Sequence, residues 1–525
     1  MNRVDVTLLV FVLTLGIALA ARRLRTPMPV VLAAAGIALG MMWRLVSWLP
    51  PVSVPPDRVL FVFLPPLLTT AAYSLPLSAF RRNLRPITLL AVGLVLATMG
   101  TAAVVAHALG GMTWAAAFVL GAIIAPPDPV AATSVAGRTG LSHRLVVILE
   151  GEGLLNDAVA ITAYGLAVTA AVSNEFAWGE AGLALLRAAP TGVAIGFAVG
   201  WAFTELRRHI DDVTIEAGMS ILMPYVTYQA ADRLGASAVL AVVTLGFVLQ
   251  RRATQIATPA ARLATRTVWS AFQFASTALV FLLVGLLIGE LVDTELSGHL
   301  LGTAAAVTLV VIGFRFAWLF VVPRALRRVR AIAWAEPPTW RELVVLGWAG
   351  MRGVVSLSLA LALPSLTGAD GSSPRGAIIV VTLVVIIATL IAQGLTLVPL
   401  IERLGVADAD RDDRDERRTR ARARRAGLAA LERKVRVGDV AGARADQLCD
   451  ELGDGRLGVA KRPVVYRRES ASLMAVLEAE RRVVVEMRSA GRIGGALAER
   501  LVTEIDTDML RVRGEVGRLT AADEA

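Results

Sequence analysis

Cysteine is all but missing: Cys449 is the single one in 525 residues. No disulfide framework can form within one chain, so cysteine says nothing about redox compartment. Histidine is also scarce. His107, His143, His209 and His299 are scattered without metal-ligand spacing, and the sequence places them in loops or at helix ends. A signal-peptide cleavage site is missing too. The first apolar run, Val4 to Ala21, is followed by RRLR and not by small residues, so it reads as a retained span.

What the chain has in abundance is apolar sequence. Hydrophobic residues make up 56%, and the mean hydropathy of +0.64 excludes an ordinary soluble protein. The net charge of +10 does not point to nucleic acid, because the arginines sit in short clusters between apolar runs. Thirteen candidate spans lie between residues 4 and 401. The ninth, 235–250, is short, and the fifth, 113–136, and the twelfth, 342–364, are interrupted.

The connections test that count. Every second one is basic: Arg22, Arg23 and Arg25; Arg81, Arg82 and Arg85; Arg138 and Arg144; Arg207 and Arg208; Arg251, Arg252, Arg262 and Arg266; Arg324, Arg327, Arg328 and Arg330. The alternate connections are neutral or acidic, with exceptions such as Arg233 and Arg375. Positive loops stay inside, which puts the N-terminus outside and the C-terminus in the cytoplasm. The sequence therefore divides at 404. Residues 1–404 form a transmembrane domain, and 405–525 a small helical cytoplasmic tail, a regulatory module, a dimer contact or a solvated appendage. In the tail, Leu473, Val476, Leu477, Val483, Val484 and Met487 recur at helical spacing.

Two acidic sites stand out. In GAIIAPPDPVAATSVAG, residues 121–137, Asp128 lies between prolines that cannot continue a helix. Freed backbone groups at bilayer depth are tolerated only inside protein or beside a wet cavity. Span twelve carries a matching irregularity at Gly350, Arg352 and Gly353. If spans one to six and eight to thirteen are halves of opposite topology, with span seven as linker, the two interruptions are equivalent. Paired interruptions are a sequence pointer to a transporter site. Asp128 also fits a helix cap after a proline kink.

The second site is EGEGLLNDAVAI, residues 150–161. Glu152 and Asn156 share a helix face, as do Gly153 and Asp157, and Gly153 leaves room beside the Asp157 carboxylate. Desolvation favours the neutral form of a carboxyl group, so a shielded one can take up a proton near neutral pH. Hard cations prefer oxygen ligands. One oxygen site can therefore hold a proton or a cation in turn, which is the chemistry of exchange. Arg352 is the expected counter-charge of Glu152, leaving Asp157 free for the ion. Glu150 reads as an interfacial ion pair, Arg315 as a snorkelling or structurally paired residue, and Glu216 as a structural partner. Gly36 and Gly40 form a G-x-x-x-G for close packing, within the protomer or between subunits.

These stretches, with FLPPLL (63–68), FLLVGL (281–286), WAGMRGVVSLSLAL (348–361) and IAQGLTLVPLIERLG (391–405), resemble the monovalent cation:proton antiporters, in the sodium/proton exchanger branch. The tail stretch EAERRVVVEMRSAGRI (478–493) resembles the cytoplasmic end of bacterial members. The resemblance implies an all-α membrane protein of two inverted repeats, with interrupted helices crossing at the midplane. It also implies a homodimer with a mobile core that moves like an elevator, multi-pass in the cell membrane. The activity implied is exchange of Na⁺ or another monovalent cation for H⁺, serving cytoplasmic pH and sodium homeostasis, with no cofactor, no nucleic acid and only lipid and the transported ions as further partners.

By the same resemblance Asp157 binds the ion and the proton, and Asp128 belongs to the unwound Asp-Pro segment. Glu152 and Arg352 match an intramembrane ion pair. Asn156, where electrogenic relatives have a second aspartate, implies electroneutral one-for-one exchange. Three positions depart from the family pattern: Pro127 stands for a threonine, Gly153 for a serine and Thr277 for an asparagine. The first two remove side-chain oxygens from the site, which keeps K⁺/H⁺ exchange and a transport-inactive membrane sensor as alternatives. An intramembrane aspartyl protease would need a G-x-G-D context, which GEGLLND does not provide.

Overall fold

The structure is a computed structural model that describes residues 12–19, 28–45, 56–128, 141–173, 178–210, 212–256, 258–291, 298–325, 338–364, 374–406, 409–437 and 467–523. Every element with a regular repeat among them is a helix. A helical stretch at 12–19 stands for the first expected span, most of which lies outside the described residues.

α1 (Met28–Leu45), α2 (Pro56–Ser74) and the short α3 (Leu77–Arg82) come first. α4 (Leu84–Gly110) crosses unbroken with a π-helical turn at Leu89–Leu94. α5 (Trp114–Ile124) and α6 (His143–Ser173) follow. Next come α7 (Trp178–Arg207), α8 (Val213–Arg233), α9 (Ala238–Ile256), α10 (Pro259–Leu291) and α11 (Gly298–Ala325). α12 (Trp340–Trp348), α13 (Val354–Leu361) and α14 (Arg375–Leu404) complete the apolar part.

Five of these, α4, α6, α10, α11 and α14, contain a stretch long and apolar enough to cross a bilayer unaided. Large apolar side chains face outward along the helices, among them Phe197, Trp201, Leu222, Leu309 and Val321. A surface greasy on its outside as well as its inside is the mark of a lipid-facing bundle.

Both interruptions expected from the sequence are present. α5 is capped at its start by the Thr113 hydroxyl, which accepts from the Ala116 N–H, and ends at Ile124 before Pro126 and Pro127. α12 opens with a capping box between Thr339 and Glu342 and stops at Trp348; the chain restarts as α13 after Gly353. The broken ends meet: the Asp128 N–H donates to the Met351 carbonyl at 2.6 Å.

Glycines set the closest helix pairs. Gly36 of α1 lies on Gly285 of α10, leaving no room for a Cβ on either. Gly36, the first glycine of the span-two pattern, thus serves packing within this chain. The Arg207–Glu216 ion pair joins the end of α7 to the first turn of α8, giving Glu216 the structural part expected of it.

Beyond Gly405, whose left-handed φ of 61° ends α14, lie α15 (Ala409–Arg436), α16 (Arg467–Ser489) and α17 (Gly495–Asp523). They share a core of their own, built on Leu431, Leu473, Val476, Leu477, Val484 and Leu501.

Candidate ion-binding site

The site begins with an unmet need for hydrogen bonds. α5 stops in the protein interior, so the carbonyls of Ile124 and Ala125 have no next turn to bond. Arg352, 1% exposed, reaches them from the opposite break. Its Nε donates to Ile124 O at 3.0 Å and its Nη2 to Ala125 O at 3.3 Å, while Nη1 donates to Gly350 O. A guanidinium at a helix C-terminus also meets the negative end of the helix dipole.

This occupation corrects the expected Glu152–Arg352 pair. Glu152 is held instead by Arg315 of α11, whose Nη1 and Nη2 donate to Oε1 and Oε2 at 2.5 and 2.9 Å. Arg315 Nε also donates to Leu346 O at 3.2 Å. The physical reason is geometric. Arg352 has five N–H donors in one plane and spends them on backbone carbonyls, while Arg315 presents its fork to the carboxylate. Gly350 makes room, since a Cβ there would strike the Arg315 side chain. The two guanidinium groups and Glu152 form one buried charge cluster.

The residues expected at the ion divide into two groups. Asp128, Pro127, Gly153 and Asp157 line one cavity of about 1230 Å³, together with Thr277 and Ser356. Asp157 is 6% exposed and faces the same cavity as Asp128. Asn156, fully buried, does not line the cavity. Its Nδ2 donates to Pro127 O at 2.9 Å, and its Oδ1 has no hydrogen-bond partner among the described residues. Gly353 lies against the Asp128 carboxylate, with no space for a Cβ. Glu150 also lines the cavity, near the charge of Arg488.

Sequence reasoning missed Ser356 on the cavity wall; of its two readings of Arg315, snorkelling or structurally paired, the second is found, with Glu152 as the partner it did not name. The signal for Arg315 was a lone arginine deep in an apolar helix, a position that demands a buried partner.

A cavity that holds two carboxylates at the crossing of two broken helices inside an apolar bundle is the architecture of an ion transporter. Residues 9–403 match the family model described as "Sodium/hydrogen exchanger, transmembrane". The chain belongs to the sodium/hydrogen exchanger family. Among its relatives is the Na(+)/H(+) antiporter ApNhaP of Aphanothece halophytica, 31% identical over 68% of this chain and 66% of that protein. The uncharacterized Na(+)/H(+) exchanger Rv2287 of Mycobacterium tuberculosis is 30% identical over 93% of this chain and 92% of its own length, a match that takes in the tail. The fold is shared with the sodium proton antiporter MjNhaP1 of Methanocaldococcus jannaschii, at a TM-score of 0.60 and 17% identity, over 77% of this chain and 99% of that one. Sodium/hydrogen exchangers are multi-pass proteins of the cell membrane, so this chain is a cation/proton transporter and not an enzyme.

Proposed function

We propose that the protein exchanges Na⁺ for H⁺ one for one by alternating access, with Asp157 as the group that the two ions share. The observation that carries this reading is the placement of Asp157 and Asp128 on one cavity wall at the crossing of the two breaks. Two neighbouring carboxylates repel each other, and a bound cation or proton relieves that repulsion. The pair Glu152–Arg315 and the carbonyl clamp of Arg352 are already satisfied, which leaves Asp157 as the group to load. Asn156 adds no charge, so one positive ion replaces another.

Residues 1–404 carry transport with the N-terminus outside, residues 405–525 form the cytoplasmic tail, and the working unit is a homodimer. With Pro127 and Gly153 supplying no side-chain oxygen, the ligands are the Asp128 and Asp157 carboxylates, the Thr277 and Ser356 hydroxyls, and water.

Proteoliposomes with an internal pH dye test the reading. Na⁺ evokes a pH change in the native protein, and Asp157→Ala abolishes it. Undiminished flux in Asp157→Ala removes Asp157 from this role. K⁺ and Li⁺ in the same assay define selectivity. Pro127→Thr combined with Gly153→Ser lowers the Na⁺ concentration for half-maximal exchange by about tenfold, equivalent to about 1.4 kcal/mol. An unmoved value refutes the account of the missing oxygens.

A further inference from the structure

The hydroxyl of Thr389 has one hydrogen and uses it inside its own helix. Thr389 lies at the middle of α14, fully buried, and its Oγ1 donates to the Val385 carbonyl at 2.8 Å, with the Ile386 carbonyl at 3.1 Å. What that oxygen still offers is a lone pair, and the Arg352 amide donates to it at 3.2 Å. A second threonine, two turns further along α14, serves the other edge of the same gap. Thr396 Oγ1 donates to Ala392 O and accepts from Trp348 Nε1 at 2.7 Å. α14 therefore holds both sides of the second break: the last residue of α12, and the residue before Gly353, where α13 restarts.

The Arg352 guanidinium serves the α5 carbonyls, but its amide has a different task. The Met351–Arg352 peptide uses both of its polar groups. Its carbonyl accepts from the Asp128 N–H at 2.6 Å, and its N–H goes to Thr389. The Pro127–Asp128 peptide is used in the same way. Its carbonyl accepts from Asn156 Nδ2 at 2.9 Å, and its N–H goes to Met351. The bonds join into one directed chain, from Asn156 through the two peptides to Thr389 and on to Val385. Each intermediate group accepts at one end and donates at the other, so each bond polarises the next. The backbone of Asp128 is thus located from two sides, by Asn156 of α6 and by Thr389 of α14.

We propose that Thr389 is a positioning residue of the ion site, which fixes Asp128 through the Met351–Arg352 peptide without touching the cation. The inference rests on reading the cavity of Asp128 and Asp157 as the ion site, a cavity that Thr389 does not line. Without its acceptor the buried Arg352 N–H is left unpaired. The peptide then turns toward another partner, and the Met351 carbonyl turns away from Asp128 with it. The same helix supplies a control. Thr382 lies two turns before Thr389 on the same face and is equally buried, and its Oγ1 has no hydrogen-bond partner among the described residues.

The test uses the full chain in proteoliposomes with an internal pH dye, titrated with Na⁺. Thr389→Val keeps the shape and removes the acceptor. Its Na⁺ concentration for half-maximal exchange rises about five- to tenfold, the factor set by one lost hydrogen bond. Its maximal rate stays within about twofold of native, because binding and not turnover is impaired. Thr389→Ser keeps the acceptor and both native values. Thr382→Val, an equal change of shape, moves neither. A native half-maximal concentration in Thr389→Val, a serine variant as impaired as the valine one, or an equal rise in Thr382→Val overturns the proposal. If Thr389→Val does not fold, Thr389→Cys carries the test. Its sulfur accepts only weakly, so the half-maximal concentration again rises, and an unchanged value refutes the proposal.

Thermal unfolding in detergent separates failure of this proposal from failure of the ion-site reading. Asn156→Ala and Thr389→Val break one chain at opposite ends, so their losses of stability combined are smaller than their sum. Additive losses refute the chain. Exchange that survives Asp157→Ala counts against the ion-site reading, and the unfolding coupling then still decides the chain.

Discussion

Asn156 braces the broken helix: its Nδ2 donates to the Pro127 carbonyl at 2.9 Å across a gap of 29 residues. The residue next to Asp157 thus positions the chain beside Asp128 and does not itself line the cavity. Asn156→Ala leaves a buried carbonyl without its donor, a cost of about 1–3 kcal/mol, and reduces cation affinity. Asn156→Asp donates only when protonated. Its exchange activity relative to the native protein should therefore recover as pH falls, measured as flux across a pH series. A constant ratio would show that the bond does not matter.

The Glu152–Arg315 pair is buried and bidentate. Removing one partner by Glu152→Ala or Arg315→Ala strands a charge and destabilises the fold by about 3–5 kcal/mol. Replacing both with methionine is far less harmful, because neither charge is left alone. Thermal unfolding in detergent checks the order: double variant well above either single one. Arg352→Ala acts differently, by exposing the α5 carbonyls, and Glu152→Ala does not rescue it.

Gly353 touches the Asp128 carboxylate. Gly353→Ala pushes that carboxylate aside while leaving the Glu152–Arg315 pair intact. The cation concentration for half-maximal exchange rises by about tenfold or more, equivalent to about 1.4 kcal/mol. An equal affinity in flux titrations would show that Asp128 does not contact the ion.

In the tail, burial pushes the Glu480 carboxyl up to about 7; Arg424 pulls it back and Asp508 adds to the rise. An acid whose pKa is higher folded than unfolded favours the folded tail at low pH. That advantage is lost as pH rises from about 4.5 through about 7, by about 1–2 kcal/mol after allowance for partial exposure. Hydrogen exchange of α15–α17 in the full chain, corrected for its intrinsic pH dependence, should show protection falling over that window. Glu480→Gln should flatten it.

Much of the site was legible in the sequence because prolines and glycines announce their backbone needs. Pro126 and Pro127 end α5, and Gly350 and Gly353 mark the second break, so both interruptions could be placed. The partner of Glu152 could not. Two arginines, Arg315 and Arg352, were available, and the choice turned on which one the ends of α5 required. That is a demand of three-dimensional packing between segments more than two hundred residues apart, as Arg352 and Ile124 are. The docking of the tail was equally hidden. The spacing of Leu473, Val476 and Leu477 foretold a helix with an apolar face, but Arg262 and Arg266 of α10, which meet Asp506 and Glu499 of α17, read from sequence as topology signals.

The bond from the Asp128 amide to the Met351 carbonyl couples two chain segments that no covalent route connects within two hundred residues. With Arg352 clamped on the far side of the same crossing, neither broken helix can slide or tilt without dragging the other. Any displacement of Asp128 therefore takes both breaks with it.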